Sequence, residues 1–132
     1  MDRTELFNEA LFVASRLIEQ GAREDALTVL RLLAEDEGYG AVRIIACTNC
    51  ALVNVQLGRN EQALDWYDRG IALELPDEMR VASRYKAELL ANLGRTTESL
   101  ALYLELLAQP LKREELEAVN AAIAKLESGP AA

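Results

Sequence analysis

Apolar residues recur at intervals of three and four through most of the chain, the spacing of helices with one buried face. The last stretch shows this most simply: Leu116, Val119, Ile123 and Leu126 stand at intervals of 3, 4 and 3. Between apolar stretches stand Gln20-Gly21-Ala22-Arg23, Leu57-Gly58-Arg59-Asn60 and Leu93-Gly94-Arg95-Thr96. The glycines are 37 and 36 residues apart. A turn between antiparallel helices needs a residue that accepts positive φ at the end of the first helix, and glycine does so at least cost. The pattern predicts helices over 4–20 and 22–36, 40–57 and 60–74, 77–93 and 96–108, and 112–127. Asp77, just after Pro76, fits a first-turn acid or N-cap. Glu35-Asp36-Glu37-Gly38-Tyr39-Gly40 is the least regular junction. Ser128-Gly129-Pro130-Ala131-Ala132 reads as a frayed tail.

The same offsets hold around each glycine. Seven residues before it stand Ala14, Ala51 and Ala87; five after it stand Ala26, Ala63 and Ser99. Nine after it stand Leu30, Tyr67 and Tyr103. Only small side chains let two backbones approach where helices cross, and a large residue then fills the gap one turn further on. A helix pair of this kind cannot bury its apolar face alone, so pairs stack and the last one needs a cap. The predicted fold is all-α, a single domain over 1–132. Its repeats span about 4–38, 40–75 and 77–110, and the cap 112–127 offers Lys112, Arg113, Glu114, Glu115, Glu117 and Lys125 to its outer face.

The segment Gly58-Arg59-Asn60-Glu61-Gln62-Ala63-Leu64-Asp65-Trp66-Tyr67, continuing to Leu75-Pro76, resembles the tetratricopeptide repeat. Ala51, Gly58, Ala63, Tyr67 and Gly70 match the family pattern in the second unit, and Pro76 comes one residue late. Ala87, Gly94 and Tyr103 match in the third, where Ser99 and Leu106 depart from it and Pro110 is one residue early. The first unit matches at Ala14, Gly21 and Ala26. The large aromatic usual at the fourth position is replaced by Ala10, Cys47 and Ser83. The resemblance covers about residues 7–111 and implies a right-handed α–α superhelix of three hairpins with a C-terminal capping helix.

It also implies a concave groove lined by the first helix of each pair. Its positions fall on Asn8, Leu11, Phe12, Ser15 and Ile18, on Ile45, Thr48, Asn49, Leu52 and Val55, and on Val81, Arg84, Tyr85, Glu88 and Asn92. Ile18, Ile45 and Val55 are expected in the core, and Thr48, Asn49, Arg84 and Tyr85 exposed in the groove. Members of the family that clamp a chaperone's C-terminal carboxylate carry cations where Leu11, Val81 and Tyr85 stand here and an amide where Ser15 stands; Asn49 alone agrees. A carboxylate without cations is poorly held, so that ligand class is excluded. The remaining groove suits an amphipathic helix or an extended segment with alternating anchors.

Composition narrows the chemistry. The 132 residues contain no His, which removes Ser-His and Cys-His nucleophile pairs and His metal sites. The net charge of −8 argues against a nucleic-acid backbone or an anionic lipid surface as main partner. No apolar run reaches the roughly 18 residues that span a bilayer, and the charged start lacks a signal sequence's apolar core, so the expectation is a cytoplasmic chain. Cys47-Thr48-Asn49-Cys50 is a C-x-x-C, yet it falls mid-helix rather than at the helix N-terminus that activates thiolates. Its expected role is packing, with a redox or metal protein as the alternative of another class. The acidic clusters Glu35-Asp36-Glu37 and Glu114-Glu115-Glu117 lack the spacing of a calcium loop. Trp66 is expected to pack.

These features predict a non-catalytic protein-binding module without cofactor, holding a peptide or helix of another protein. A narrower alternative is a chaperone of an export substrate, since small acidic chains with three such repeats resemble the cytoplasmic chaperones of type III secretion in layout. An irregular first unit also allows an apolar face that pairs two copies.

Overall fold

A computed structural model describes residues 1–76 and 78–129. The predicted roles of Asp77 and of residues 130–132 lie outside the described residues. The regular elements among the described residues are all helical: α1 (Arg3–Glu19), α2 (Arg23–Glu35), α3 (Arg43–Gln56), α4 (Asn60–Ile71), α5 (Val81–Asn92), α6 (Thr96–Leu107) and α7 (Arg113–Ser128). A 3-10 segment, Glu37–Val42, precedes α3. The chain divides into two compact units, Met1–Leu73 and the part from Glu74 onward. The first holds α1 to α4, with α1 on α2, α2 on α3 and α3 on α4; the second holds α5 on α6 and α6 on α7.

Three turns built alike close the hairpins. Gly21, Gly58 and Gly94 have φ of 79°, 76° and 78°. At each, the amide of the next residue reaches back five residues. Ala22 donates to the Leu17 carbonyl, Arg59 to Asn54 and Arg95 to Leu90, all at 2.8 Å. The glycine amides donate to Ile18, Val55 and Ala91 at 3.0 Å. This pair of bonds satisfies the carbonyls that a helix end leaves open. A Cβ at any of the three glycines would meet nothing within 4 Å, so glycine is needed here for its φ and not for space.

Ala14, Ala26, Ala51, Ala63, Ala87 and Ser99 are all fully buried where the hairpin helices cross. Ser99 shows how a hydroxyl enters that crossing: its Oγ donates to the Ala87 carbonyl at 2.7 Å, so no polar group is left unpaired. Leu30, Tyr67 and Tyr103 are buried one turn further on. In the second unit Ala87, Tyr103, Leu106, Val119 and Ile123 form the core. Leu106, large where the repeat pattern has a small residue, is accommodated in the core that α7 completes.

Several boundaries differ from those predicted. Helix α3 starts at Arg43 rather than 40, because Gly40 takes φ 64° inside the 3-10 segment. That junction is tied down. Asp36 accepts from the Gly38 amide at 2.9 Å and from Arg3 at 3.2 Å, and both hold its carboxyl below its ordinary pKa. Arg3 also lies 5.1 Å from the Tyr39 ring, which meets Phe7 edge-on. Helix α4 stops at Ile71, and α5 begins at Val81 rather than 77. Carboxylates from elsewhere in the second unit cap the late start. Glu74 accepts from the Ser83 amide at 3.1 Å and from its hydroxyl, and Glu115 of α7 accepts from the Arg80 amide at 2.5 Å. Negative charge there complements the α5 dipole. Glu115 is therefore not on the outer face of α7 but 1% exposed. The buried stripe of α7 is Glu115, Val119 and Ile123, while Leu116 stands exposed. Helix α7 also continues through Ser128, which was expected in the tail.

Candidate functional site

The first helix of each hairpin must turn its small residue, seven before the glycine, towards its partner. Positions 13, 9, 6 and 2 before the glycine then share the opposite side, spaced 4, 3 and 4. In α1 these are Asn8, Phe12, Ser15 and Glu19; in α3, Ile45, Asn49, Leu52 and Gln56; in α5, Val81, Tyr85, Glu88 and Asn92. All are exposed except Asn49 and Val81, which are half-buried. Phe12 is 59% exposed, Ile45 46%, Leu52 41% and Tyr85 40%. Phe12 and Tyr85 face water at the same place on α1 and α5, where α3 has Asn49, and on α3 Ile45 and Leu52 face water at the flanking places. Exposed large apolar side chains of this kind are what a docking surface needs.

On each helix the exposed side is narrower than the set read from the sequence. Position 10 before the glycine turns inward, so Leu11 and Arg84 are half-buried and Thr48 is buried. The expected exposure of Thr48 is thus overturned. Its hydroxyl donates to the Ile45 carbonyl at 2.9 Å, which lets it leave water at small cost. The opposite correction applies to Ile45, expected in the core but exposed, because a residue three before Thr48 falls on the outer side of that turn. Ile18 and Val55 are half-buried, between core and surface.

In the second unit Glu88 and Asn92 of α5 also line a cavity of about 870 Å³. Its other walls include Tyr103 of α6 with Ala122, Lys125 and Leu126 of α7. Burial pushes the Tyr103 phenol above its ordinary pKa, and the Glu88 charge adds to this, so Tyr103 is a neutral hydroxyl at neutral pH. Sequence reasoning missed this cavity, since it treated α7 only as a cap. It also missed a smaller polar cleft of about 420 Å³ between α2 and α4. There Arg69 stacks 4.3 Å from the Trp66 ring and reaches Glu35 at 3.8 Å, while Arg59 pairs with Glu24. Trp66 itself is buried.

Cys47 and Cys50 are unbridged and buried within α3. Burial pushes both thiols up, Cys50 to about 12. Thiolates are the reactive form, and at neutral pH almost none is present here. Under native conditions both cysteines are expected to react with a disulfide reagent roughly 100-fold or more slower than a free thiol, and at full rate in denaturant. Fast labelling of the native chain at either position would contradict a packing role. No group of three or more His, Cys, Asp and Glu is placed to hold a metal ion among the described residues. No helix among them is long and apolar enough to cross a membrane. No protein-family model matches the chain, and comparison with curated proteins gives no match either.

Proposed function

We propose that the chain is a non-catalytic interaction module of the tetratricopeptide kind, holding a peptide or amphipathic helix of another protein against the first helices of its hairpins. The observation that supports this is the exposure of large apolar side chains on the outer sides of the first helices: Phe12 on α1, Ile45 and Leu52 on α3, and Tyr85 on α5. A ligand with apolar residues at regular spacing gains from these anchors. Glu88, Asn92 and the half-buried Asn49 orient it by polar contacts. Leu11, Val81 and Tyr85 stand where carboxylate-clamping members carry cations, which does not favour a terminal carboxylate as ligand.

A photo-crosslinking residue placed at Phe12 or Tyr85 is expected to capture the partner in the native source, and one placed at the exposed Asp65 on α4 is not. With the captured protein as ligand, Tyr85→Ala combined with Leu52→Ala is expected to weaken binding about tenfold or more. Far-UV circular dichroism should not change, because neither side chain is in the core. Unaltered affinity would move the site away from these helices.

A further inference from the structure

Helix α1 carries a second apolar stripe, separate from the docking face. Leu6, Ala10, Val13 and Leu17 stand at intervals of 4, 3 and 4, on the edge of α1 between its buried side and its acidic edge. Leu6 is 45% and Val13 48% exposed, with Ala10 and Leu17 half-buried. Beside this stripe, on one edge of the same helix, lie Glu5, Glu9 and Arg16, all exposed. Glu5 and Glu9 are like charges four residues apart, which repel across one helical turn. Their side chains make no ion pair among the described residues, and Arg16 lies over the Phe12 ring at 5.7 Å.

We propose that the chain pairs with a second copy of itself through this edge, the two α1 helices running antiparallel about a two-fold axis. A two-fold interface must complement itself, and the stripe does so because its spacing reads the same in both directions. Leu6 falls opposite Leu17 of the second copy, and Ala10 opposite Val13, each pairing occurring twice. Antiparallel helices bring the same edge of each copy together. In this register Arg16 of the second copy lies at the level of residue 7, midway between Glu5 and Glu9, about 3 Å along the axis from each. The two carboxylates that repel in one copy thus bracket a cation of the other. Charge complementarity of this kind fixes register and partner more than it adds affinity. The contact covers three turns of one helix, less than the ~800 Å² per partner of a standard interface, so the dimer forms as concentration rises.

Sedimentation equilibrium of the intact chain, from micromolar to submillimolar concentration, tests this. The mass is expected to rise from one chain to two. Val13→Glu should remain a single chain throughout, as should Arg16→Glu and the double variant Glu5→Arg/Glu9→Arg, each measured alone. An equimolar mixture of the last two should recover a heterodimer, since the charges are then opposite again across the interface. Tyr85→Ala, on the docking face, should leave the pairing unchanged. All four substituted positions on α1 are exposed, and circular dichroism checks that each variant is folded. A wild-type chain that stays single at every concentration would overturn the proposal. So would a dimer that survives Val13→Glu, or a charge-swapped mixture that fails to pair.

Discussion

Ala63→Arg is expected to abolish the cooperative thermal transition of the first unit and remove much of its helical signal. Ala63 is fully buried five residues after the second turn, where α3 and α4 cross. Ala51, facing the same crossing, is also fully buried. Overfilling a packed core costs about 1–3 kcal/mol. Burying a guanidinium without a partner adds several kcal/mol more. The sum approaches the roughly 5–15 kcal/mol that holds a small domain together. The neighbouring Gln62 is exposed on the same helix, so Gln62→Arg should leave the melting curve within about 0.5 kcal/mol of wild type. Circular dichroism melts of both variants check this. A wild-type melt for Ala63→Arg would show that the crossing lies elsewhere.

That crossing was legible because it depends on local rules. Three glycines with positive φ, small residues at fixed offsets and a large residue one turn on each follow from backbone geometry and side-chain volume. The hairpin turns could therefore be placed from spacing alone. The misplaced boundaries depend on contacts made far along the chain. Helix α5 starts at Val81 because Glu74 and Glu115 supply acceptors there, and nothing in residues 77–80 by themselves says so. The 3-10 segment before α3 is likewise fixed by Arg3, 33 residues earlier than Asp36.

For the candidate site, the resemblance pointed to the first helix of each pair, and the exposure of the residues on those helices follows it only in part. Thr48 and Ile45 exchanged their expected roles because they stand only about 60° apart around the helix, on either side of the line between the buried and exposed sides of α3, and the resemblance does not place that line. Thr48 also carries a hydroxyl, which suggested exposure. The bond to the Ile45 carbonyl removes that reason. The cavity lined by Glu88 and Tyr103 depends on where α7 lies, and the stripe of α7 was itself misread by one residue. Leu116 looked like the start of an apolar stripe, while the charge of Glu115 hid its place in the core.

Glu115 accordingly gives the second large effect. Glu115→Ala is expected to destabilise the chain by about 3 kcal/mol and to lower its melting temperature by roughly 10 °C. The carboxylate is 1% exposed and accepts the Arg80 amide, the residue that opens α5. Arg80 is also buried. Its guanidinium donates to the Leu75 and Pro76 carbonyls at 2.9 and 3.4 Å, while its Nε has no partner among the described residues. Removing the carboxylate would leave the Arg80 amide unpaired as well and open a void beside it. A charge-assisted bond contributes about 1.5–3 kcal/mol, and an orphaned buried amide costs about 1–3. Glu115→Gln keeps an acceptor of the same length and should lose only about 1 kcal/mol. Glu114 and Glu117 are exposed neighbours in the same acidic cluster, and Glu117 pairs with Arg113 at 3.2 Å on the surface. Pairs of that kind contribute a few tenths of a kcal/mol, so Glu114→Ala and Glu117→Ala should melt within about 0.5 kcal/mol of wild type. Equal losses from Glu114→Ala and Glu115→Ala would mean that the contact with Arg80 does not anchor α7.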